Sequence, residues 1–156
     1  VKRWSSNVTV SEWPQTNADH IGGCLTLLFM LRPNPSVALV RHIVFHDIGE
    51  RWAGDLPWAF KQDDPETAAA HARSEKNYAW VATGQDLNLG LTDEERALVK
   101  LIDMLDPYAH VALRCPFELA HNRWPEQINE MLDRAEALGL LDEVRDFITD
   151  MRERRF

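Results

Sequence analysis

What this chain can become is constrained most by one junction. An apolar run, Val37-Ala38-Leu39-Val40-Arg41-His42-Ile43-Val44-Phe45, ends directly in His46-Asp47-Ile48-Gly49-Glu50. With Ser36 as its N-cap, the run predicts a buried helix that delivers an imidazole and a carboxylate side by side at its C-terminal end. Glu50 follows at i+4 from His46 and i+3 from Asp47, so all three can border one groove. Gly54 and Pro57 then break the helix, and the broken segment carries Asp55 and Lys61. Charge at this density beside a core persists only when it is paired or coordinates a metal. The junction therefore predicts a site, with further ligands to be found elsewhere in the chain.

The remaining segments also read as helices. Ala18 to Leu31 is largely apolar, with Asn17 or Asp19 as N-cap and Pro33 and Pro35 as the stop, and its composition predicts a core helix. Asp64-Pro65-Glu66 opens a third helix that Gly84 closes. Thr92-Asp93-Glu94-Glu95 is a capping box before Ala97, Leu98, Leu101, Ile102 and Leu105. Pro107 is expected to end that helix or to open the next, which runs to about Ala120. Pro125 starts another helix, closed by Gly139, and an amphipathic segment follows from about Leu141 to Arg154. No alternating strand pattern or internal repeat is visible. The expectation is an all-α bundle of about seven helices in one domain, 1–156. Residues 1–17 form an arm packing on the site, and 18–156 form the helical core.

Composition limits the functions open to it. The 156 residues carry a net charge of −8, which argues against a nucleic-acid-wrapping surface, since that needs a basic face. No apolar run approaches the roughly 20 residues of a membrane span. Two cysteines, Cys24 and Cys115, suggest no disulfide framework and fit a reducing cytosol. Val1-Lys2-Arg3-Trp4-Ser5-Ser6 does not read as a signal peptide. A cytoplasmic location is the expectation.

His20, in the first turn of the first helix, and Asp103, inside the capped helix, complete a set with His46 and Asp47. Two imidazoles and two carboxylates from three helices suit a first-row divalent ion: Mn, Fe, Co, Ni or Zn. Four protein ligands on a six-coordinate ion leave two positions for water and a substrate oxygen. Glu50, one turn beyond, is placed to act as general acid/base. Asp55 is either an assistant in proton transfer or an ordinary turn aspartate. Lys61, Lys100 and Arg3 are candidates for neutralising phosphate charge. Trp58 is a candidate to pack on a substrate, and His42 is read as lining the core, with a supporting contact to the metal ligands as the alternative. No P-loop or serine nucleophile elbow is present.

The ordered set His20, His46-Asp47 and Asp103 resembles the metal signature of the HD-domain phosphohydrolase superfamily. Arg3-Trp4, His46-Asp47-x-x-Glu50, Gly54-Asp55-Leu56-Pro57 and Lys100-x-x-Asp103 resemble its bacterial 5′-deoxynucleotidases and the phage dATP triphosphohydrolases. The similarity spans about Arg3 to Tyr108. Asp19-His20-Ile21 and the internal Gly22-Gly23 depart from the family pattern, and Ala59 stands where that pattern has a second proline. The resemblance implies a metal-dependent hydrolase of 2′-deoxynucleotides, with deoxyadenosine favoured, releasing phosphate or tripolyphosphate, with additional Mg or Mn accompanying a triphosphate. It also implies that Trp4 packs on the sugar and excludes a 2′-hydroxyl. A small-molecule nucleotide, no nucleic acid, no membrane and a second copy in a homo-oligomer are the expected partners. A phage source would make the compartment the host cytoplasm. A phosphodiesterase of cyclic or signalling nucleotides and a non-catalytic nucleotide-binding module are the alternatives.

Overall fold

The helix that Thr92 opens carries the longest buried stripe, and the other elements are arranged around it. In the computed structural model the described residues are 13–153 apart from 55, 57 and 122, with the side chains of 58 and 59 outside the description. The chain is all-α, with no β-strand among the described residues. The helices are α1 (Asn17–Leu31), α2 (Val37–Phe45), α3 (Glu50–Ala53), α4 (Trp58–Asp63), α5 (Pro65–Thr83), α6 (Asp93–Arg114), α7 (Trp124–Ala137) and α8 (Leu141–Glu153). A 3-10 turn at Pro116–Ala120 links α6 to α7. The expected all-α bundle is what forms; the stretch from His46 to Asp63 is cut into the short α3 and α4.

α6 packs against α1, α2, α7 and α8. Leu98, Leu101, Ile102, Leu105, Tyr108, Val111 and Ala112 fill its inner face at helical spacing. Pro107 neither ends this helix nor opens another: α6 runs through it to Arg114. A proline there removes the N–H that would bond the Asp103 carbonyl, a defect of about 3 kcal/mol in a helix interior. Asp106, Pro107 and Tyr108 are all buried, and that packing carries the helix across the defect. Tyr108 meets Trp124 of α7 edge-on at 6.4 Å and donates its hydroxyl to the Ile148 carbonyl of α8 at 3.3 Å. α7 and α8 thereby join the single core cluster that also contains Leu28, Leu39 and Ile43. No described helix is long and apolar enough to cross a membrane.

The N-cap of α1 is Thr16 and neither Asn17 nor Asp19, and Asp19 is its reciprocal partner in a capping box. α1 buries His20, Cys24, Leu27 and Leu28 on one face, whereas Phe29 and Met30 are 51% and 67% exposed. Its apolar composition overstates its burial. Val37 and Phe45 of α2 are likewise exposed, with Leu39 and Ile43 its buried residues. The first twelve residues of the arm, with Arg3 and Trp4, lie outside the described residues. Its described end does return to the helical body, because the Trp13 carbonyl accepts a hydrogen bond from His110 Nε2 at 2.8 Å.

α5 has the predicted ends, Asp64 with Pro65 at its start and Gly84 in the left-handed region at its close. It packs chiefly on α3 and α4, and Ala79 is its buried residue. Gly49 permits the approach: a Cβ there would lie 2.2 Å from the Glu75 backbone oxygen. Trp52 stacks on Tyr78 at 6.0 Å beside it.

Glu95 joins two helix starts. Its carboxylate accepts from the Thr92 amide at 2.9 Å and from the Ser36 hydroxyl at 2.6 Å, while Ser36 caps α2 through the Leu39 amide. The Ser36 and Thr92 bonds hold the Glu95 carboxyl below its ordinary value of 4.5. A lowered folded value contributes stability that is present above the unfolded value and lost as pH falls through the folded one. Glu95→Ala should cost about 1–2 kcal/mol at pH 7. In urea melts the deficit relative to wild type should shrink as the pH is taken below about 4.

Candidate metal centre

Three helix segments converge on one point. α1 contributes His20, fully buried; the end of α2 contributes His46 and Asp47; α6 contributes Asp103. One donor atom from each lies within 4.8 Å of the others. His20 Nε2 is 3.2 Å from His46 Nε2 and 3.1 Å from Asp103 Oδ1. Asp47 reaches both rings, with Oδ2 3.4 Å from His20 Nε2 and Oδ1 3.2 Å from His46 Nε2.

The outer faces of the two rings decide what the inner faces can do. His20 Nδ1 lies 2.6 Å from Asp106 Oδ2, and His46 Nδ1 lies 2.7 Å from the Ile43 carbonyl. Carboxylates and carbonyls accept, so both Nδ1 atoms carry protons and, in the neutral rings, both Nε2 atoms present lone pairs inward. Four acceptor atoms thus face one another. Nitrogen and oxygen ligands about 2.0–2.2 Å from a common ion are separated by about 3.0–3.4 Å when they occupy neighbouring positions. The observed nitrogen–nitrogen and nitrogen–oxygen separations of 3.1–3.4 Å match that spacing. The cluster can hold a divalent metal ion.

Electrostatics agree with the geometry. Burial opposes charge on His46, but its bond to Asp103 and the charges of Asp47 and Asp103 leave its pKa raised. Burial likewise opposes ionisation of Asp103, yet the bonds to His20 and His46 hold its carboxyl well below the usual carboxylate range. The pocket is built to stabilise positive charge.

A second grouping, His20, Cys24 and His46, also has ligand-like spacing. Cys24 Sγ is 3.6 Å from His20 Nε2 and 3.7 Å from Nδ1. Near-equal distances to the two nitrogens place the sulfur off the line of the Nε2 lone pair, so Cys24 packs beside His20. Burial pushes its thiol up to about 11.

A cavity of about 420 Å³ opens beside the cluster, bordered by His46, Asp47 and Asp103 and by Glu50, Lys61 and Lys100. That volume falls within the range of small-molecule sites. The helix breaks after Phe45 and restarts at Glu50, so the continuous turn expected between His46 and Glu50 is replaced by a tighter one, with Ile48 N bonding the Phe45 carbonyl. Glu50 is nevertheless buried and on the cavity wall. Asp55 and the Trp58 side chain lie outside the described residues; Trp58 begins α4.

Several cavity residues were not read from the sequence. Lys76 and Arg96 also border it, the first 3.7 Å from Asp86 and the second bonded to Asp93 and the Leu91 carbonyl. Arg96, Lys100 and Asp103 recur at i+4 and i+3 along α6, a stripe that helical periodicity could have disclosed. Asp106, three residues after Asp103 on α6, is buried behind His20 and also accepts from Gln15 Nε2 at 2.7 Å. Gly23, an oddity inside a helix, is explained by the same carboxylate: a Cβ there would lie 1.7 Å from Asp106 Oδ1.

Protein-family models, curated proteins and solved structures yield no match to this chain. The centre therefore rests on its own geometry.

Partners that orient a ligating histidine typically govern 10–100-fold in metal affinity. Asp106→Asn should weaken Co²⁺ or Zn²⁺ binding by roughly that factor, read by competition with a chromophoric chelator. Gly23→Ala should do the same by displacing the Asp106 carboxylate. Affinities equal to wild type in both variants would remove Asp106 from the centre.

Proposed function

We propose that the chain is a metal-dependent phosphohydrolase of the HD-domain kind that its sequence resembles, acting on 2′-deoxynucleotides. The observation that carries this reading is the set of four convergent acceptors beside a cavity that also holds one buried carboxylate and several cations. A divalent ion held by His20, His46, Asp47 and Asp103 supplies Lewis acidity toward a phosphoryl oxygen and acidifies water; Mn, Fe, Co, Ni and Zn all suit the mixed donors.

The chain's own residues supply the rest. Glu50, on the cavity wall at the start of α3, takes the proton of the attacking water and returns it to the leaving oxygen. Lys61 and Lys100 border the same space and balance the phosphate charge that an acidic protein would otherwise repel. Arg3, Trp4, Asp55 and Trp58 enter from the sequence resemblance alone: Arg3 on phosphate, Asp55 in proton transfer, and the tryptophans on the nucleoside. Deoxyadenosine nucleotides are the favoured substrates, as monophosphate or triphosphate, with a further Mg or Mn ion accompanying the latter. The working form is a homo-oligomer in the cytoplasm.

Glu50→Ala separates chemistry from binding. The variant should keep its metal, measured by elemental analysis, and lose roughly 10²–10⁴ in kcat. An unchanged kcat would take Glu50 out of the reaction. Product analysis with dATP and dAMP, after addition of Mn²⁺ or Co²⁺, decides between tripolyphosphate and inorganic phosphate. No release from any deoxynucleotide would overturn the proposal.

Trp4 governs the sugar. A 2′-hydroxyl buried against the indole without a partner loses about 1–3 kcal/mol, so deoxynucleotides should exceed ribonucleotides at least about tenfold in kcat/KM. Trp4→Ala should narrow that ratio. A lower melting temperature with an unaltered ratio would make Trp4 a fold anchor.

A further inference from the structure

His42 precedes His46 by one turn of α2 and borders the same cavity. Its sequence context suggested a core-lining residue, but it is only half-buried. His42 Nδ1 lies 3.0 Å from the Leu87 backbone oxygen. A carbonyl can only accept, so Nδ1 carries the proton. Burial outweighs that bond and, with the charges of His46 and Lys100, depresses the pKa of His42. At neutral pH the ring is therefore neutral, and Nε2 is a bare acceptor with no partner among the described residues.

An acceptor at this place selects for a donor and rejects a phosphate oxygen. At 1.5 Å per residue, four residues of α2 set His42 about 6 Å along the helix from His46. On a 5′-nucleotide whose phosphate lies at the ligand cluster, the sugar falls in that range and the base amino groups lie beyond it. Deoxyribose in such a nucleotide offers one hydroxyl. We propose that His42 Nε2 accepts a hydrogen bond from the 3′-hydroxyl of the bound deoxynucleotide, making it a specificity-determining residue. The inference rests on the deoxynucleotide reading above. Leu87 fixes the ring, so the acceptor is in place before the nucleotide arrives.

The test compares 2′-deoxyadenosine 5′-monophosphate with its 2′,3′-dideoxy counterpart. Titration calorimetry on the full Co²⁺-loaded chain carrying Glu50→Ala gives Kd for both. With His42 present, the 3′-hydroxyl should improve Kd about tenfold, the equivalent of 1.4 kcal/mol. His42→Asn, whose amide can still donate to the Leu87 oxygen but leaves the Nε2 position vacant, should reduce that ratio below about twofold. His42→Gln, which can return a carbonyl oxygen to that position, should restore at least about threefold. Equal Kd values with His42 in place, or a tenfold ratio that survives in His42→Asn, would overturn the assignment while leaving the deoxynucleotide reading intact. Binding of neither nucleotide to the His42 chain would instead overturn that reading and this inference with it.

Discussion

The hydrogen bond from His20 to Asp106 is the contact on which the rest of the centre depends. It fixes which nitrogen of a fully buried imidazole carries the proton and so which one faces inward. A buried carboxylate is costly unless several donors meet it. Asp106 has two on its Oδ2, the His20 ring and the Gln15 amide. Gly23 leaves the space in which the carboxylate sits. The segment before α1, the first turns of α1 and the middle of α6 are thus positioned around one side chain. Their inner product is a set of acceptors whose mutual repulsion only positive charge relieves. Protons can supply that charge partially, as the raised His46 and lowered Asp103 show. A divalent ion satisfies all four at once and would add its binding free energy to the stability of the fold.

α6 has two faces with different duties. Its inner stripe holds α1, α2, α7 and α8 together, while Arg96, Lys100 and Asp103 line the cavity. Placing Asp103 on the most heavily packed helix limits its movement, as a cluster that is to hold a metal ion requires if its geometry is to be kept to fractions of an ångström. Pro107 shows how strong that packing is. The missing N–H falls opposite the Asp103 backbone carbonyl, yet the helix continues.

The helices themselves were largely legible in the sequence, because caps and apolar periodicity are local signals. Thr92 with Glu95, Asp64 with Pro65, and the terminal glycines Gly84 and Gly139 stand where local rules put them. The four expected ligands also meet, since a His-Asp pair at the end of an apolar run can hardly be accommodated otherwise. What stayed hidden was set by contacts distant along the chain. Asp106 serves a histidine 86 residues away, and Gln15 serves Asp106 across 91. Nothing near Gly23 or Gly49 says which side chain or backbone will fill the space left by the absent Cβ. Pro107 was misjudged because a local rule for breaking helices ignores the core that holds this one together.

The two walls of the cavity differ in how firmly they are held. The ligand wall belongs to the contiguous core of α1, α2, α6, α7 and α8. The opposite wall, α3 to α5, rests chiefly on its own mutual packing, with Ala79 the buried residue of α5 and an Asp63–Arg123 ion pair tying α4 to the start of α7. Local stability follows the density of buried apolar contacts, and that density is lower on the second wall than on the first. Lys61 lies on α4 and Glu75 and Lys76 on α5, while Glu50 sits where α3 begins. The cluster of His20, His46, Asp47 and Asp103 thus sits on the densely packed wall, and the cavity's further charged groups on the sparser one. Gly49, at the N-cap of α3, lies against the backbone of α5. The backbone contact there, where no side chain intervenes, sets how closely α5 packs on the start of α3.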